Sequence, residues 1–265
     1  MKTKKLFFLI ITTLFLTQSY TLAGSEVSES LTKKNNNKET KECFENFSRG
    51  VFSFNQGLDR ALFEPIAKTY RKLPQPIRKG SGNVVSNLSL LVTIPNNLLQ
   101  GNVKQAGSNV VRLALNSTIG ILGIFDPATS MGLKYKDKED YGQTLGAWGT
   151  STGCYFVLPV LGPTTVRDFS GSVMNILGGD PWYNITVRND TNYVKNSDYY
   201  MSRGAHALDF RAKNIESFDS IERNSVDFYA SVKSLYLQDR NNKINNSKTT
   251  TETQDDSDWE EIETK

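Results

Sequence analysis

Phe47-Ser-Arg-Gly-Val51-Phe-Ser-Phe54-Asn-Gln-Gly-Leu58-Asp-Arg-Ala61 sets apolar side chains four, three, four and three residues apart. That spacing returns each one to the same stripe of an α-helix, whereas a half-buried strand would alternate. The rhythm recurs outward from this segment. Val103, Ala106, Val110 and Leu113 form a second stripe, and Val166, Phe169, Val173 and Leu177 a third. Residues 205–238 read as the longest helix, with Leu208, Ile215, Phe218, Val226, Tyr229 and Tyr236 at roughly helical intervals and an Asp209–Lys213 pair adding slight support. Pro65 suits a first helical position, and Ile66, Tyr70 and Leu73 share a face until Pro74 and Pro76 interrupt it. No alternating run matches these in length. The expected class is all-α.

The connections carry unusual glycine. Ile119-Gly-Ile-Leu-Gly-Ile-Phe125 is apolar but too short to span a bilayer, which needs roughly 20 residues. Residues 142–153 (GQTLGAWGTSTG) hold four glycines around Trp148, and Tyr155-Phe-Val-Leu-Pro-Val-Leu161 is a second compact apolar run. Two readings stand: buried loops and short strands of a core, or re-entrant backbone whose polar groups protein or water must satisfy.

The ends differ from the middle. Lys2, Lys4 and Lys5 precede an apolar run of 11 residues, Leu6 to Leu16, and Thr21-Leu22-Ala23 supplies small residues for cleavage. Residues 1–23 are therefore expected to be a secretory signal, with an uncleaved anchor as the alternative. Residues 24–45 read as a polar linker. From residue 241 to 265 seven acidic side chains face three lysines, which reads as a disordered solubilising tail or a recruiter of a basic partner. The folded domain is expected over 46–240. Without a cysteine before Cys43, acylation of a processed N-terminus is not expected. Cys43 and Cys154 are the two thiols; in an oxidising compartment they pair, or both stay free.

Net charge is only +3, without the clustered basic excess of a nucleic-acid binder. One histidine, His206, and two distant cysteines cannot build a His/Cys zinc site, so no metal is expected. No G-x-S-x-G elbow and no phosphate- or dinucleotide-binding glycine motif occurs. Asp59–Arg60, Glu139–Asp140 and Arg167–Asp168 are adjacent in sequence and so read as caps and ion pairs, not as acid–base couples. His206 reads as a packing or surface residue at a helix start. No catalytic residue is assigned and no cofactor is expected.

Several motifs occur in a fixed order. Asn116-Ser117-Thr118-Ile119-Gly120 precedes Gly123-Ile-Phe-Asp126-Pro127-Ala128. Then come Glu139-Asp140-Tyr141-Gly142-Gln143-Thr144-Leu-Gly-Ala-Trp148, Leu158-Pro159-Val-Leu-Gly162-Pro163, and Arg167-Asp168 with Gly171. Val51-Phe-Ser-Phe54-Asn55, Leu58-Asp59-Arg60 and Asn96-Asn-Leu-Leu-Gln100 lie upstream; Ser225-Val-Asp-Phe-Tyr229 and Ser234-Leu-Tyr-Leu-Gln238 lie downstream. From about residue 46 to 240 this order resembles the MlaA/VacJ family, outer-membrane phospholipid-trafficking lipoproteins of Gram-negative bacteria.

The resemblance implies a ring-like arrangement of amphipathic helices, with glycine-rich loops or a hairpin, lying in one membrane leaflet. It implies a central amphipathic channel for phospholipid mislocalised in the outer leaflet, a trimeric outer-membrane porin as neighbour, and a periplasmic lipid carrier of the MlaC type as recipient. The alternative is a porin-associated scaffold that conducts no lipid. Along such a path Asn55, Asp59, Gln143 and Thr144 are candidates for the headgroup, and Phe54, Leu58 and Ile121 for the acyl chains. Trp148, Trp182, Tyr183, Tyr199 and Tyr200 are candidate interfacial anchors. The chain departs from the family in its missing lipobox cysteine, in Gly80-Ser-Gly-Asn-Val84 where an aromatic stretch is usual, and in Cys154 where proline is common.

Overall fold

A computed structural model describes residues 40, 42–134, 138–188 and 195–249. The expected signal, most of the linker and the last part of the acidic tail lie outside these residues.

The first stripe forms α1 (Glu45–Leu58), which runs through a π turn (Asp59–Phe63) directly into α2 (Glu64–Arg71). Pro65 has no N–H to give a carbonyl one turn back, and the wider turn absorbs that gap at the start of α2. α3 (Gln75–Leu99) follows, begun by Pro74 and Pro76, and antiparallel α4 (Val103–Thr118) packs along it. After short α5 (Pro127–Ser130) and α6 (Tyr141–Ala147), β1 (Tyr155–Leu158) pairs antiparallel with β2 (Gly162–Thr165), Tyr155 opposite Thr165. The apolar run there is thus a hairpin. Then come α7 (Val166–Met174), α8 (Pro181–Tyr183), α9 (Asn196–Lys213), α10 (Ile215–Asn224) and α11 (Phe228–Thr249).

Two expectations need correction. The expected long helix over 205–238 is three helices, broken at Asn214 and at residues 225–227. Asn214 bonds back to the Phe210 carbonyl at 2.7 Å, and Asp227 accepts the Ala230 N–H at 3.1 Å, so both side chains compete with the continuing ladder. The fold also does not stop at 240: α11 continues to Thr249 because Ile244 is buried against Gly146. At the other end, Glu42 already bridges to Tyr155, and Cys43 is joined to Cys154 with the Cα atoms 5.6 Å apart. The two are 111 residues apart in sequence; closing so long a loop stabilises by up to about 4–5 kcal/mol in the chain-entropy model.

The elements close on themselves. α2 packs on α9, α9 on α3, α3 on α6, α6 on α11, and α11 on β2; β1 then returns to α1, which continues into α2. That circuit is the ring. Among the described residues no helix is long and apolar enough to cross a membrane.

What the ring buries is mainly polar. Gln105, Asn109, Arg112 and Asn116 recur every three or four residues on α4 and face Asn87, Asn96 and Asn97 of α3. Asn109 donates to the Asn97 side-chain oxygen at 2.8 Å, and Asn87 to Ser117 Oγ at 3.0 Å. Among the described residues the buried apolar side chains cluster in two knots, Ala67 with Ala212 and Ile215, and Tyr155 with Val157 and Tyr229, while Leu90, Ala106 and Ile244 are buried outside them. The apolar stripes of α1, α4 and α7 point largely outward, with Val51, Leu58 and Ala106 turned in, whereas Ile215 and Tyr229 of the 205–238 stripe are buried. Phe47 is 66% and Phe54 59% exposed, Val103 and Val110 are exposed, and all four stripe members from Val166 to Leu177 are exposed. The loops repeat the theme: Ile121, Leu122 and Val160 adopt positive φ, unfavourable for large side chains, and all three are exposed. Large apolar side chains exposed in such number point to a surface covered by lipid or protein.

Candidate functional site

The elements α1, the π turn, the hairpin tip, α9, α10 and α11 border a cleft of about 260 Å3. One wall is aromatic: Phe52, Phe63, Phe218 and Phe228 line it, with Phe52 and Phe228 in edge contact at 5.4 Å. The other carries charge. Asp59, set at the start of the π turn, receives Arg211 Nε at 2.9 Å and Nη2 at 2.7 Å, a two-point pairing, and Glu64 lies 3.8 Å from the same guanidinium. Arg211 Nη1 is buried and has no hydrogen-bond partner among the described residues. Arg60 and Glu222 pair across the mouth.

Of the seven lipid-path candidates, Asn55, Leu58 and Asp59 meet in this cleft. Asn55 is already committed: its Nδ2 donates to the Leu158 carbonyl at 2.9 Å and its Oδ1 accepts Val160 N–H at 2.8 Å, clamping the hairpin tip around Pro159 and Gly162. Phe54 projects from α1 into open surroundings, and Ile121 is exposed on its turn. Gln143 and Thr144 are not at the cleft; they are buried where α6 meets α3. Thr144 Oγ1 donates to the Asn96 side-chain oxygen at 2.6 Å and Gln143 Nε2 to the Lys138 carbonyl at 3.0 Å. Arg211, Phe218 and Glu222 are not among the sequence candidates, yet they line the same cleft from α9 and α10.

The ordered motifs build the frame. Asp126 caps α5, accepting Thr129 N–H at 3.1 Å, and pairs at 2.9 Å with Arg112, which is only 2% exposed. Asn116 Oδ1 accepts the N–H of Ala128 at 3.2 Å, just after Pro127. Thr118 Oγ1 returns to the Ala114 carbonyl, and Gly120 leaves no room for a side chain against the Phe125 and Asn116 carbonyls. Glu139 accepts from Gln100 at 3.0 Å, and Trp148 Nε1 donates to the Leu99 carbonyl at 2.9 Å while its ring is exposed. Pro163 lines the cleft.

Arg240, absent from the sequence candidates, ties the frame together. Its guanidinium meets Asp140 at 2.6 Å and Asp168 at 2.9 Å; Asp168 also takes Arg167 at 3.0 Å and the Tyr236 hydroxyl at 2.7 Å. Burial alone would raise the Asp168 pKa, but the Arg240 charge and these hydrogen bonds outweigh it and hold the carboxyl at about 2. A depressed carboxylate stabilises the fold above its unfolded pKa of about 3.9 and loses that contribution as pH falls through the folded value. Between about pH 5 and 1 roughly 2.5 kcal/mol should therefore disappear, most of it between about pH 4 and 2. Asp168→Asn should flatten that part of an acid-unfolding curve followed by circular dichroism.

His206 lies midway along α9 and not at a helix start; it is half-buried beside Lys138.

Comparison with known proteins agrees with this architecture. The profile of the family described as MlaA lipoprotein matches residues 40–243. The intermembrane phospholipid transport system lipoprotein MlaA of Haemophilus influenzae is 30% identical over 222 residues, 80% of this chain and 85% of its own length. An uncharacterized protein of Rickettsia bellii is 32% identical over 241 residues, 88% of this chain and 91% of its own. A solved chain from work on the structural basis for maintenance of bacterial outer membrane lipid asymmetry superimposes with a TM-score of 0.65. It is 27% identical and covers 77% of this chain and 99% of that one. The ring, the ordered motifs and the matched length lead to one assignment: this chain belongs to the MlaA lipoprotein family.

Proposed function

We propose that the chain is the outer-membrane component of a phospholipid transport system. It lies in the inner leaflet of the outer membrane, takes mislocalised phospholipid from the outer leaflet and passes it to a periplasmic carrier. No bond is made or broken in this account; the protein supplies a path. The observation that carries it is a partial reversal of polarity: polar side chains make up much of what the ring buries, while most apolar stripe members of α1, α4 and α7 face outward. Acyl chains can cover such an exterior, and the 120–125 turn can lie at their edge because its N–H groups bond to carbonyls of its own segment.

The cleft fits the cargo's two natures. Four phenylalanines offer a wall for acyl carbons, and the Asp59–Arg211 pair puts charge in the same lining, to which a headgroup can be matched. A trimeric porin as neighbour and a carrier of the MlaC type as recipient belong to the same proposal, supported by family membership.

Deleting the gene should raise the fraction of phosphatidylethanolamine labelled from outside by a membrane-impermeant amine reagent, and the wild-type gene should restore it. Unchanged surface labelling would remove the transport role. Should the chain then co-purify with a porin but without lipid, the scaffold reading would replace it.

A further inference from the structure

A second cavity, of about 200 Å3, lies between α3, the 138–140 segment, α8 and α9. Its wall is apolar on one side, with Val85, Leu88, Val92 and Trp182, and carries basic side chains on the other, Lys138, Arg203 and His206. Glu139, Asp140 and Asp180 also line the cavity, with Asp209 nearby, and all four carboxylates are engaged. Asp180 takes Arg203 Nη2 at 2.7 Å and two backbone N–H groups, Asp140 takes Arg240, and Asp209 takes Lys213 at 2.6 Å. Glu139 accepts from Gln100.

Lys138 differs from all of these. Its Nζ lies 3.3 and 3.5 Å from the two ring nitrogens of His206, and among the described residues it has no carboxylate within ion-pair range. A half-buried ammonium whose neighbour is an imidazole lacks its counter-charge. The local field agrees. Burial first, then Arg203, bring Lys138 down to about 8; burial first, then Lys138 and Arg203, bring His206 down to about 4. Asp209 opposes both shifts and Lys213 adds to them.

We propose that this cavity binds the phosphate of a phospholipid headgroup, with Lys138 and His206 as donors, Arg203 adding charge, and Trp182 with the α3 side chains covering the glyceride carbons. The proposal rests on the lipid-transport reading and supplies a headgroup station separate from the Phe-lined cleft. A bare phosphate would need the same cations but not the apolar wall, which favours the lipid.

His206 is the only histidine of the chain, so its ring proton is a unique reporter. The full chain, carrying no histidine tag, is titrated by NMR in an uncharged maltoside detergent without phosphate. Phosphatidylglycerol, diacylglycerol or inorganic phosphate is then added at equal concentration. An anion beside Lys138 and His206 favours both charged forms. Phosphatidylglycerol should therefore raise the His206 midpoint by at least about one pH unit, at least a tenfold change in proton affinity. Diacylglycerol should leave it in place, and inorganic phosphate should move it less. Lys138→Met, checked for an unchanged far-ultraviolet spectrum, should lose the phosphatidylglycerol shift. If the chain retains phospholipid through purification but the midpoint stays, the site is wrong and the transport reading survives. Retention of no phospholipid at all would sink both. An equal shift with inorganic phosphate would assign the cavity to the free ion and overturn the lipid proposal.

Discussion

Arg240→Met should cost about 3–5 kcal/mol of unfolding free energy, among the largest effects of any single side chain here. The guanidinium is 12% exposed and serves two carboxylates that come from different elements, Asp140 before α6 and Asp168 in α7. Methionine keeps most of the stem's packing volume, so the loss isolates charge compensation. Asp168, 7% exposed, would be left with Arg167 and Tyr236 alone. A buried carboxylate stripped of its main counter-charge costs far more than an exposed pair, which is worth only about 0.2–1 kcal/mol. Lys243→Met, which removes the half-buried partner of exposed Asp239 one turn further along α11, is the control and should change stability by less than about 1 kcal/mol. Denaturant unfolding in detergent, followed by circular dichroism, measures both.

Gly171→Ala should be equally damaging for a steric reason. A Cβ on Gly171 would lie 2.2 Å from the Gly142 nitrogen and 2.7 Å from its Cα, so it would strike backbone, which cannot rotate away. α6 and α7 cross there glycine to glycine. The expected loss is about 3 kcal/mol or more, at or above the upper end for overpacking. Gly107→Ala on α4 has open space around its Cβ and should instead gain roughly 0.5–1 kcal/mol from reduced backbone entropy. The same substitution thus takes opposite signs at two helical glycines. Two equal and small effects would show that the α6–α7 crossing is looser than described.

Much of the fold is legible in the sequence. α1, α4 and α7 are announced by their apolar stripes, and the class follows. Which way those stripes point is not announced, since periodicity gives a face and not its neighbour. α3 is hidden for the complementary reason. Its buried side is Gly80, Gly82, Asn87, Thr93, Asn96 and Asn97 with only Val85 and Leu90, so a search for apolar spacing passes over the longest helix. Pro95 hides it further, although Thr93 and Asn96 bond back to the Ser89 and Val92 carbonyls beside it. The break at 225–227 was legible in Ser225 and Asp227, both residues that turn their side chains onto backbone.

The site divides in the same way. Asn55, Leu58 and Asp59 share two turns of one helix, so local reading collects them. Arg211 is 152 residues from Asp59, and no local pattern pairs them. Gln143 and Thr144 looked suited to a headgroup because they are polar among glycines. Their setting turns that polarity inward, where Asp140 and Asn96 use it. The one signal that could have found Arg211 is chemical. Asp59 stands amid Phe54, Leu58, Leu62 and Phe63, and a carboxylate in such company calls for a distant guanidinium.

All of this turns on where the outward side chains reside. Membranes from cells making the full chain, washed first in high salt and then in alkaline carbonate, separate a body immersed in lipid from one held at its surface. With Phe47, Phe54, Val110, Leu122, Leu161 and Leu177 among acyl chains, the protein should stay in the pellet through both washes and leave only with detergent, carrying phospholipid. Release into the carbonate supernatant as a lipid-free monomer would mean that those residues face water or protein, and the lipid path would go with them.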